Sequence, residues 1–330
     1  MKYKGFFVCV CISSILLFLF IFIYIIQFSS FFVINENSEP KIIYIEKGVG
    51  LSKLISQLNK INVLNEKLLF KIAGKFVLKI NDFTIKYGEY EINNNELFYD
   101  FLKKVSYNQV LEHKISFPEG LTTREMIEII NNNHVLNGDN LDFNSYSEGI
   151  LMPETYLFVR GTTKTALLQI MINDMNDFLT TSWNDRDIHN DDVIKTKKDA
   201  LILASVVEKE SKLLAEKPLI AGLFLNRLRQ KIRLQSDPTT IYEITKGKYE
   251  LNRKLTFKDL LIEGEYNTYK KYGLPVEPIA NPGKGTIFAT LHPTVNNYLY
   301  FVLHNKDTGQ HIFTETFEEH LKFANKYRGN

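Results

Sequence analysis

The chain has 330 residues, and the 45% that are apolar are enough to bury a sizeable core in one large domain or two smaller ones. Its formal net charge is +2, and no block of Lys and Arg is interleaved with aromatic residues, which argues against nucleic-acid binding. Both cysteines, Cys9 and Cys11, lie near the start of the chain. The rest of the chain therefore has no thiol for a disulfide, a zinc site or a nucleophile.

The N-terminal segment predicts a membrane anchor. Residues 5–34 carry no charge, and about 20 apolar residues are enough to span a bilayer as a helix. The segment ends in FSSFFVINENSE rather than in a small-residue cleavage motif, which favours a retained anchor over a cleaved signal peptide. Lys2 and Lys4 precede the segment. The positive-inside rule then makes residues 1–35 the cytoplasmic tip and anchor, and places the rest outside the cytoplasm.

An internal repeat links two segments at an offset of 72 residues. Each copy has an alternating stretch, a glycine and an amphipathic stretch, which predicts a strand, a turn and a helix. The apolar stripe of each helix needs a sheet to cover it. A ligand-free packing unit used twice explains the repeat equally well. The matched positions are Ile43, Gly48, Ile55, Asn59, Val63, Leu64 and Asn65 in the first copy and Ile115, Gly120, Ile127, Asn131, Val135, Leu136 and Asn137 in the second.

The segment between the two copies completes a small module. FTIKYGEYEI predicts a strand broken at a glycine, and NNNELFYDFLKKV predicts a short helix. A strand–helix–helix–strand unit of this size resembles the LysM-type modules that bind cell-wall glycan. We therefore expect an α+β protein with a single N-terminal transmembrane helix, a LysM-like αβ module over residues 36–112, and a larger mixed α+β catalytic domain over residues 113–330.

Two glutamates near the end of one helical segment give the clearest chemical signal. The sequence KDALILASVVEKESKLL, Lys198–Leu214, has helical periodicity. At about 100° per residue, Glu210 shares a face with Leu203 and Val206, whereas Glu208 projects about 160° away from Glu210. The pattern predicts that Glu210 lies in an apolar stripe and that Glu208 faces water.

Burial gives the Glu210 carboxyl a chemical use. Desolvation raises the pKa of a carboxyl, sometimes by several units, so that the group stays protonated near neutral pH. A general acid that protonates a leaving glycosidic oxygen needs that state. Periodicity alone leaves a second interpretation open, in which Glu210 is buried as the structural ion-pair partner of Arg227 in the following helix.

A series of motifs extends along most of the chain. LASVVEKES, LIAGLFLNRLRQKIRLQSDPT, YNTYKKYGLPVEPIANPG and LHPTVNNYLYFV resemble the MltG (YceG-like) family of membrane-anchored endolytic murein transglycosylases. In that family the catalytic acid is the second glutamate of the E-K-E triplet, which matches Glu210. The resemblance implies cleavage of the MurNAc–GlcNAc β-1,4 bond of nascent glycan strands. The C6 hydroxyl of MurNAc attacks its own anomeric carbon and leaves a 1,6-anhydroMurNAc end, so no second catalytic carboxylate is needed.

The resemblance also implies roles for other matched residues. The polar turn LQSDPTT and the YNTY segment would bind sugar hydroxyls and N-acetyl groups, and the ANPG turn would line the cleft. MPETYLF has a Glu where the family commonly has Asp. An N-cap role is the alternative for Asp237, and a core position is the alternative for Tyr269. The implied substrate-binding residues are Gln235, Ser236, Asp237, Asn267, Thr268, Tyr269, Asn281, Glu154 and Tyr156.

The expected enzyme needs neither metal nor cofactor. Its seven histidines lack the H-x-x-x-H spacing of a helical zinc site. The expected partners are peptidoglycan strands, the membrane through one helix and, from the resemblance, peptidoglycan synthases. We expect a single-pass protein of the inner (cytoplasmic) membrane whose extracytoplasmic domain terminates strand elongation. A non-catalytic peptidoglycan-binding scaffold and a lysozyme-type hydrolase with a second carboxylate near Glu210 are the alternatives.

Overall fold

The computed structural model describes residues 33–35, 39–64, 67–187 and 193–327. The chain divides into two compact units. The first takes in the described residues up to His113 together with Leu157–Arg160, and the second comprises Lys114–Tyr156 and the described residues from Gly161 onward. Both units combine helices with short strands, so the predicted α+β class is confirmed. The LysM-like character of the first unit stays a prediction.

The first unit encloses one apolar core between short strand pairs and helices. Its elements are β1 (Val33–Ile34), β2 (Lys41–Ile45), α1 (Leu51–Lys60), α2 (Lys67–Ile80), β3 (Gly88–Ile92), β4 (Glu96–Leu97) and α3 (Phe98–Ser106). Strand β1 pairs antiparallel with β4, and β2 pairs antiparallel with β3, with Ile43 opposite Tyr90. Tyr90, Phe98 and Phe101 are fully buried in this core. Burial of such large rings provides much of the driving force for folding.

Both copies of the internal repeat fold into a strand, a turn and a helix, as predicted. In the first copy β2 leads through Gly48 into α1, and in the second β5 (Glu112–Ser116) leads through Gly120 into α4 (Thr123–Asn131). The two glycines have φ angles of 82° and 78°, which side chains disfavour. The predicted stripes are buried: Leu54, Ile55 and Leu58 in α1, and Met126, Ile127 and Ile130 in α4.

Helix α2 is an element that the sequence patterns above do not predict. On its inner side, the ring of Phe70 packs edge-on against Phe98 with ring centroids 5.0 Å apart. Gly74 lies so close to Leu51 that an added Cβ would come within 2.9 Å of its Cδ1 atom. The outer side of α2 is also apolar, with Leu68 exposed. Apolar residues therefore lie on both sides of this helix.

The rest of the chain is mostly helical. Its elements are β6 (Thr155–Val159), α5 (Lys164–Asn184), α6 (Lys197–Glu210), α7 (Lys217–Arg229), α8 (Asp237–Thr245), α9 (Phe257–Leu260), α10 (Lys284–Leu291), β7 (Tyr300–Asn305), β8 (Gln310–Thr314) and α11 (Phe317–Tyr327). Strand β5 pairs with β6, and β7 pairs antiparallel with β8. Helix α6 lies at the centre of the second core, where it packs against α7 and α10.

Helix α6 is shorter than the sequence predicts. It begins with a capping box, in which Thr196 and Asp199 bond each other's backbone N–H groups. Every residue from 200 to 207 is buried, so the helix is surrounded rather than half-exposed. It ends at Glu210, because Ser211 has an extended backbone. Leu214, the last residue of the predicted helical segment, lies in a 3-10 turn and is 59% exposed.

No helix in the part of the chain that the structure describes is long and apolar enough to cross a membrane. The predicted anchor, residues 5–34, lies outside the described residues except for Val33 and Ile34, which form β1. The anchor therefore stays a prediction, and its last two residues belong to a strand.

Candidate active site

Glu210 lies where helix α6 gives way to the extended backbone of Ser211. Its Oε1 atom accepts a hydrogen bond from Ser236 Oγ. The pKa of Glu210 is raised to about 7, and burial is the largest cause. The hydrogen bond from Ser236 and the charge of Arg227 lower this pKa, whereas the charge of Asp237 raises it. The residue as a whole is only partly buried. The raised pKa agrees with the prediction from the helical pattern.

Two buried threonines hold the backbone of Ser236 in place. Ser236 N donates to Thr268 Oγ1 at 3.0 Å, and Thr239 Oγ1 donates to Ser236 O at 2.6 Å. The two threonine hydroxyls lie 2.8 Å apart. Because Thr239 gives its single hydroxyl hydrogen to Ser236, Thr268 is the donor between them. Both backbone polar groups of Ser236 are thus bonded, and its hydroxyl remains available for Glu210.

The N-cap of α8 is Ser236 rather than Asp237, so the N-cap interpretation of Asp237 is wrong. The Ser236 hydroxyl accepts no capping bond from the backbone of α8, and it donates its hydrogen to Glu210. Asp237 is the first residue of α8, where a carboxylate interacts favourably with the helix dipole. Its Oδ1 accepts a hydrogen bond from Tyr269 OH at 2.6 Å. Burial and this bond raise the pKa of Tyr269.

Arg227 in α7 is bound to backbone carbonyl groups. Its Nε donates to Leu299 O at 2.6 Å and its Nη1 donates to Leu234 O at 2.6 Å. A longer bond joins Nη1 to Arg233 O at 3.4 Å. The side chain is therefore fixed by the backbone rather than by a carboxylate clamp. Its charge still lowers the pKa of Glu210.

The prediction that Glu208 faces water is wrong. Its side chain is 6% exposed and forms an ion pair with Lys217, whose Nζ lies 2.8 Å from Oε1. Its Oε2 accepts hydrogen bonds from Gly283 N at 3.0 Å and from Thr286 Oγ1. Lys217 Nζ also donates to Thr286 Oγ1 at 2.6 Å. Helix α10 covers the face of α6 that carries Glu208, and a helical pattern within α6 cannot show that.

The turn at Gly120 is joined to both α6 and the ANPG turn. Lys209 Nζ donates to Gly120 O at 3.1 Å, and Gly120 N donates to Asn281 O at 2.9 Å. The neighbouring Glu119 lies over Gly283, where an added Cβ would come within 1.7 Å of Glu119 Oε1. A larger residue at position 283 would require the Glu119 side chain to move. The end of α6 and the start of α10 are thus held together through the Gly120 turn.

Two of the predicted sugar ligands are buried asparagines whose amides are already bonded. Asn267 and Asn281 are both fully buried. The Asn267 amide accepts from Thr240 Oγ1 and Tyr269 N and donates to Leu260 O and Ile262 O. The Asn281 amide accepts from Leu151 N and donates to Leu121 O, Thr123 Oγ1 and Glu148 Oε1. In this conformation both amides hold the protein scaffold together, and their roles in substrate binding stay predictions.

The remaining predicted residues occupy different environments. Gln235 is exposed, with a left-handed φ of 49°, next to Ser236. Glu154 is exposed and forms an ion pair with Lys284 at 3.2 Å. Tyr156 is 8% exposed, and its OH donates to Met152 O at 3.0 Å, so it is a core residue in this structure. The structure thus gathers Ser236, Asp237, Thr268 and Tyr269 around Glu210, whereas Glu154 and Tyr156 contact other residues.

Glu148 is a buried carboxyl that no sequence pattern predicts. It accepts hydrogen bonds from Thr123 N at 2.6 Å, Tyr242 OH at 3.1 Å and Asn281 Nδ2 at 3.3 Å. Burial raises its pKa, and the hydrogen bonds from Thr123 and Tyr242 oppose that rise. Glu148 lies in the polar loop SYSEG, where periodicity carries no information. Its bonds connect α4, α8 and the ANPG turn.

An open groove of about 480 Å³ runs beside the site within the second unit. Lys209 and Pro238, the chain neighbours of Glu210 and Asp237, both line it. Arg124, Tyr242, Tyr249 and Leu251 form other parts of the wall. Aromatic, apolar and charged groups therefore line the groove. The described residues contain no cluster of three His, Cys, Asp or Glu that could hold a metal ion.

The chain matches a known family over most of its length. The model of the YceG-like family matches residues 43–326. The chain is also similar to a solved structure, a putative yceG-like protein from Listeria monocytogenes, with a TM-score of 0.51 and 28% identity. That match covers 87% of this chain and 99% of the Listeria chain.

Two curated relatives carry the name endolytic murein transglycosylase. The Bacillus subtilis (strain 168) protein is 38% identical over 181 residues, which are 54% of this chain and 48% of the relative. The Streptococcus pneumoniae serotype 2 protein is 32% identical over 176 residues, which are 52% of this chain and 31% of the relative. The matches therefore span half or less of the length of these relatives.

Proposed function

Since this chain belongs to the YceG-like family, we propose that it is a lytic transglycosylase that cleaves the glycan strands of peptidoglycan. Two similar proteins are named endolytic murein transglycosylase, which supports the reaction class. The observation that carries the proposal is the Glu210 carboxyl, with a pKa of about 7 and a hydroxyl donor on one oxygen. About half of such carboxyls hold a proton at neutral pH, so both the acid and the base form are available.

In the first step Glu210 acts as the acid. Ser236 donates to Oε1, which leaves Oε2 as the oxygen that carries the transferable proton. That proton passes to the glycosidic oxygen between MurNAc and GlcNAc, and the bond from this oxygen to the MurNAc anomeric carbon breaks. The carboxylate that forms keeps its hydrogen bond from Ser236 and remains in the field of Arg227. Both interactions stabilise its negative charge.

In the second step the same carboxylate acts as the base. It takes the proton of the MurNAc C6 hydroxyl while O6 bonds to the anomeric carbon, which gives the 1,6-anhydro ring. The carboxyl is then protonated again, and no water is consumed. One carboxyl group is enough, whereas ordinary glycosidases use two. Asp237 and Tyr269 would contact the sugars beside the cleaved bond.

The site of action that we propose is the outer face of the cytoplasmic membrane. A helix within residues 5–34 would anchor the chain and confine the enzyme to newly made strands, where tethering raises the effective concentration. Cleavage there would terminate strand elongation, and a peptidoglycan synthase would be the natural partner. If the first unit binds glycan as a LysM-like module, it would provide a second binding site for the same strand.

A hydrolase is the second candidate function. Asp237 lies close enough to Glu210 for its charge to raise the pKa of Glu210, and it is exposed. A carboxylate in that position could activate water, as in inverting glycosidases. A scaffold without catalysis is the third candidate, and the intact Glu210 environment disfavours it.

The test is digestion of purified glycan strands by the full-length chain in detergent, with mass spectrometry of the ends. Anhydro ends support the transglycosylase, reducing ends support the hydrolase, and the absence of cleavage supports the scaffold. Glu210→Gln removes the titrating proton with little change of shape, and we expect it to abolish cleavage. The matched control is Glu263→Gln, because the Glu263 side chain is 80% exposed; it should leave the rate unchanged.

A further inference from the structure

The outer face of helix α2 is an apolar surface that the first unit does not cover. Its large apolar side chains are between 41% and 68% exposed. They recur at helical spacing, so they form one continuous face. Contiguous exposed apolar patches of this kind mark interaction sites on soluble domains. The residues of this face are Leu68, Leu69, Ile72 and Ile80.

Lysines border this apolar face. Lys71, Lys75 and Lys79 recur at every fourth position of α2, and this spacing places them along one ridge of the helix. The sequence of α2, KLLFKIAGKFVLKI, contains no acidic residue. An apolar strip with a lysine edge is typical of a helix that lies in the headgroup region of a bilayer, with ammonium groups at the phosphates.

Helix α2 is linked through α3 to the strand pair at the start of the first unit. Strand β1, Val33–Ile34, consists of the last two residues of the uncharged run and pairs with β4. Helix α3 follows β4 without a break, and its first residue, Phe98, packs against Phe70 of α2. The inner side of α2 therefore packs on the helix that follows β4, the partner strand of β1, while the outer side of α2 stays exposed.

We propose that the outer face of α2 docks on the surface of a membrane that contains anionic phospholipid. This rests on the proposed membrane anchor, which would deliver the first unit to the bilayer. The apolar side chains enter the headgroup boundary, and the lysines bind lipid phosphates. Docking would hold the first unit flat against the membrane instead of letting it move freely at the end of the anchor.

A single fluorescent label can test this docking in the full-length chain. With Cys9 and Cys11, the only cysteines, changed to Ser, Leu68→Cys carries an environment-sensitive label on α2. The matched control is Ile42→Cys, which lies in the same unit and is 54% exposed. Ile42 is opposite Glu91 in the strand pair, so its face carries an acidic neighbour instead of lysines. Both proteins are reconstituted into phosphatidylcholine vesicles with and without phosphatidylglycerol, using lipids brominated in the acyl chain as quenchers.

We expect strong quenching of the label at position 68 and weak quenching at position 42, with the contrast greatest when phosphatidylglycerol is present. Lys75→Glu with Lys79→Glu should weaken docking by about fivefold or more per lysine, and added salt should act in the same direction. Equal quenching at the two positions, or none at position 68, would overturn the proposal. In detergent micelles, a blue shift of the label at position 68 that increases with protein concentration would also overturn the proposal. It would show that a second copy of the chain covers the outer face of α2. Loss of glycan cleavage with intact quenching at position 68 would refute only the proposed enzyme activity.

Discussion

Removal of the Ser236 hydroxyl should raise the pKa of Glu210 and move the pH profile of cleavage upward. The hydroxyl donates to Glu210 Oε1 and stabilises the ionised carboxylate, so it lowers the pKa. A hydrogen bond to a charged group contributes about 1.5–3 kcal/mol. Because Glu210 keeps some solvent exposure, we take the lower end of that range. One pKa unit corresponds to about 1.4 kcal/mol, so Ser236→Ala should raise the pKa of Glu210 by about one unit.

The assay is kcat/KM for glycan cleavage as a function of pH, in which the descending limb reports ionisation of the acid in the free enzyme. That limb should lie near pH 7 in the unaltered protein, where the pKa of Glu210 is about 7. In Ser236→Ala it should move upward by about one pH unit. The maximal rate should fall about tenfold, because the carboxylate formed in the acid step loses about 1.4 kcal/mol of stabilisation.

Ser205→Ala is the matched control for this experiment. Ser205 is also a buried serine in the second unit, and its hydroxyl donates to Ile202 O and accepts from Ile279 N. Its loss should lower the free energy of unfolding without moving the pH limb. A limb that stays in place or moves downward in Ser236→Ala would refute the role of the hydroxyl in setting the pKa of Glu210.

Two further predictions concern stability. Glu208→Gln removes the nearer carboxylate of the buried Lys217 ammonium and leaves Glu119 Oε2, at 3.5 Å, as a weaker partner. The free energy of unfolding in urea should therefore fall by about 3 kcal/mol, the lower end of the range for breaking a buried ion pair. Adding Lys217→Met should recover part of this loss, and a loss below about 1 kcal/mol for Glu208→Gln alone would contradict the ion-pair argument. Helix propensity alone predicts that Gly222→Ala, inside α7, stabilises the protein by about 1 kcal/mol. The added Cβ would, however, lie 2.4 Å from Thr294 O. We therefore expect the free energy of unfolding to fall by about 1–3 kcal/mol, with a lower midpoint in urea. An unchanged midpoint would show that the backbone at Thr294 can move.

Features with a local signal were predictable from the sequence. The stripes of α1 and α4 follow the helical period, and both helices bury those residues. The raised pKa of Glu210 was predictable for the same reason, because Val206 and Val207 on the same side of α6 are apolar and buried. Each of these features depends on residues within about one or two helical turns of one another.

Features that depend on distant residues were not predictable. Glu208 is buried because Gly283 and Thr286, more than 70 positions away, bond to it. Asn267 looks like a polar ligand in the sequence, yet its amide is bonded inside the fold. Ser236 caps a helix by position but gives its hydroxyl to Glu210. In each case a long-range contact decides between roles that the residue type alone permits.

The carbonyl bonds of Arg227 have a consequence for every turnover of the proposed reaction. Since Leu299, Leu234 and Arg233 anchor the guanidinium through their main-chain oxygens, its position does not depend on whether Glu210 is neutral or ionised. The positive charge of Arg227 therefore keeps the same position relative to Glu210 before, during and after proton transfer. No side chain has to move to stabilise the carboxylate that forms. A lysine could not replace this fixed charge, because it lacks the planar guanidinium group that binds several carbonyl oxygens at once.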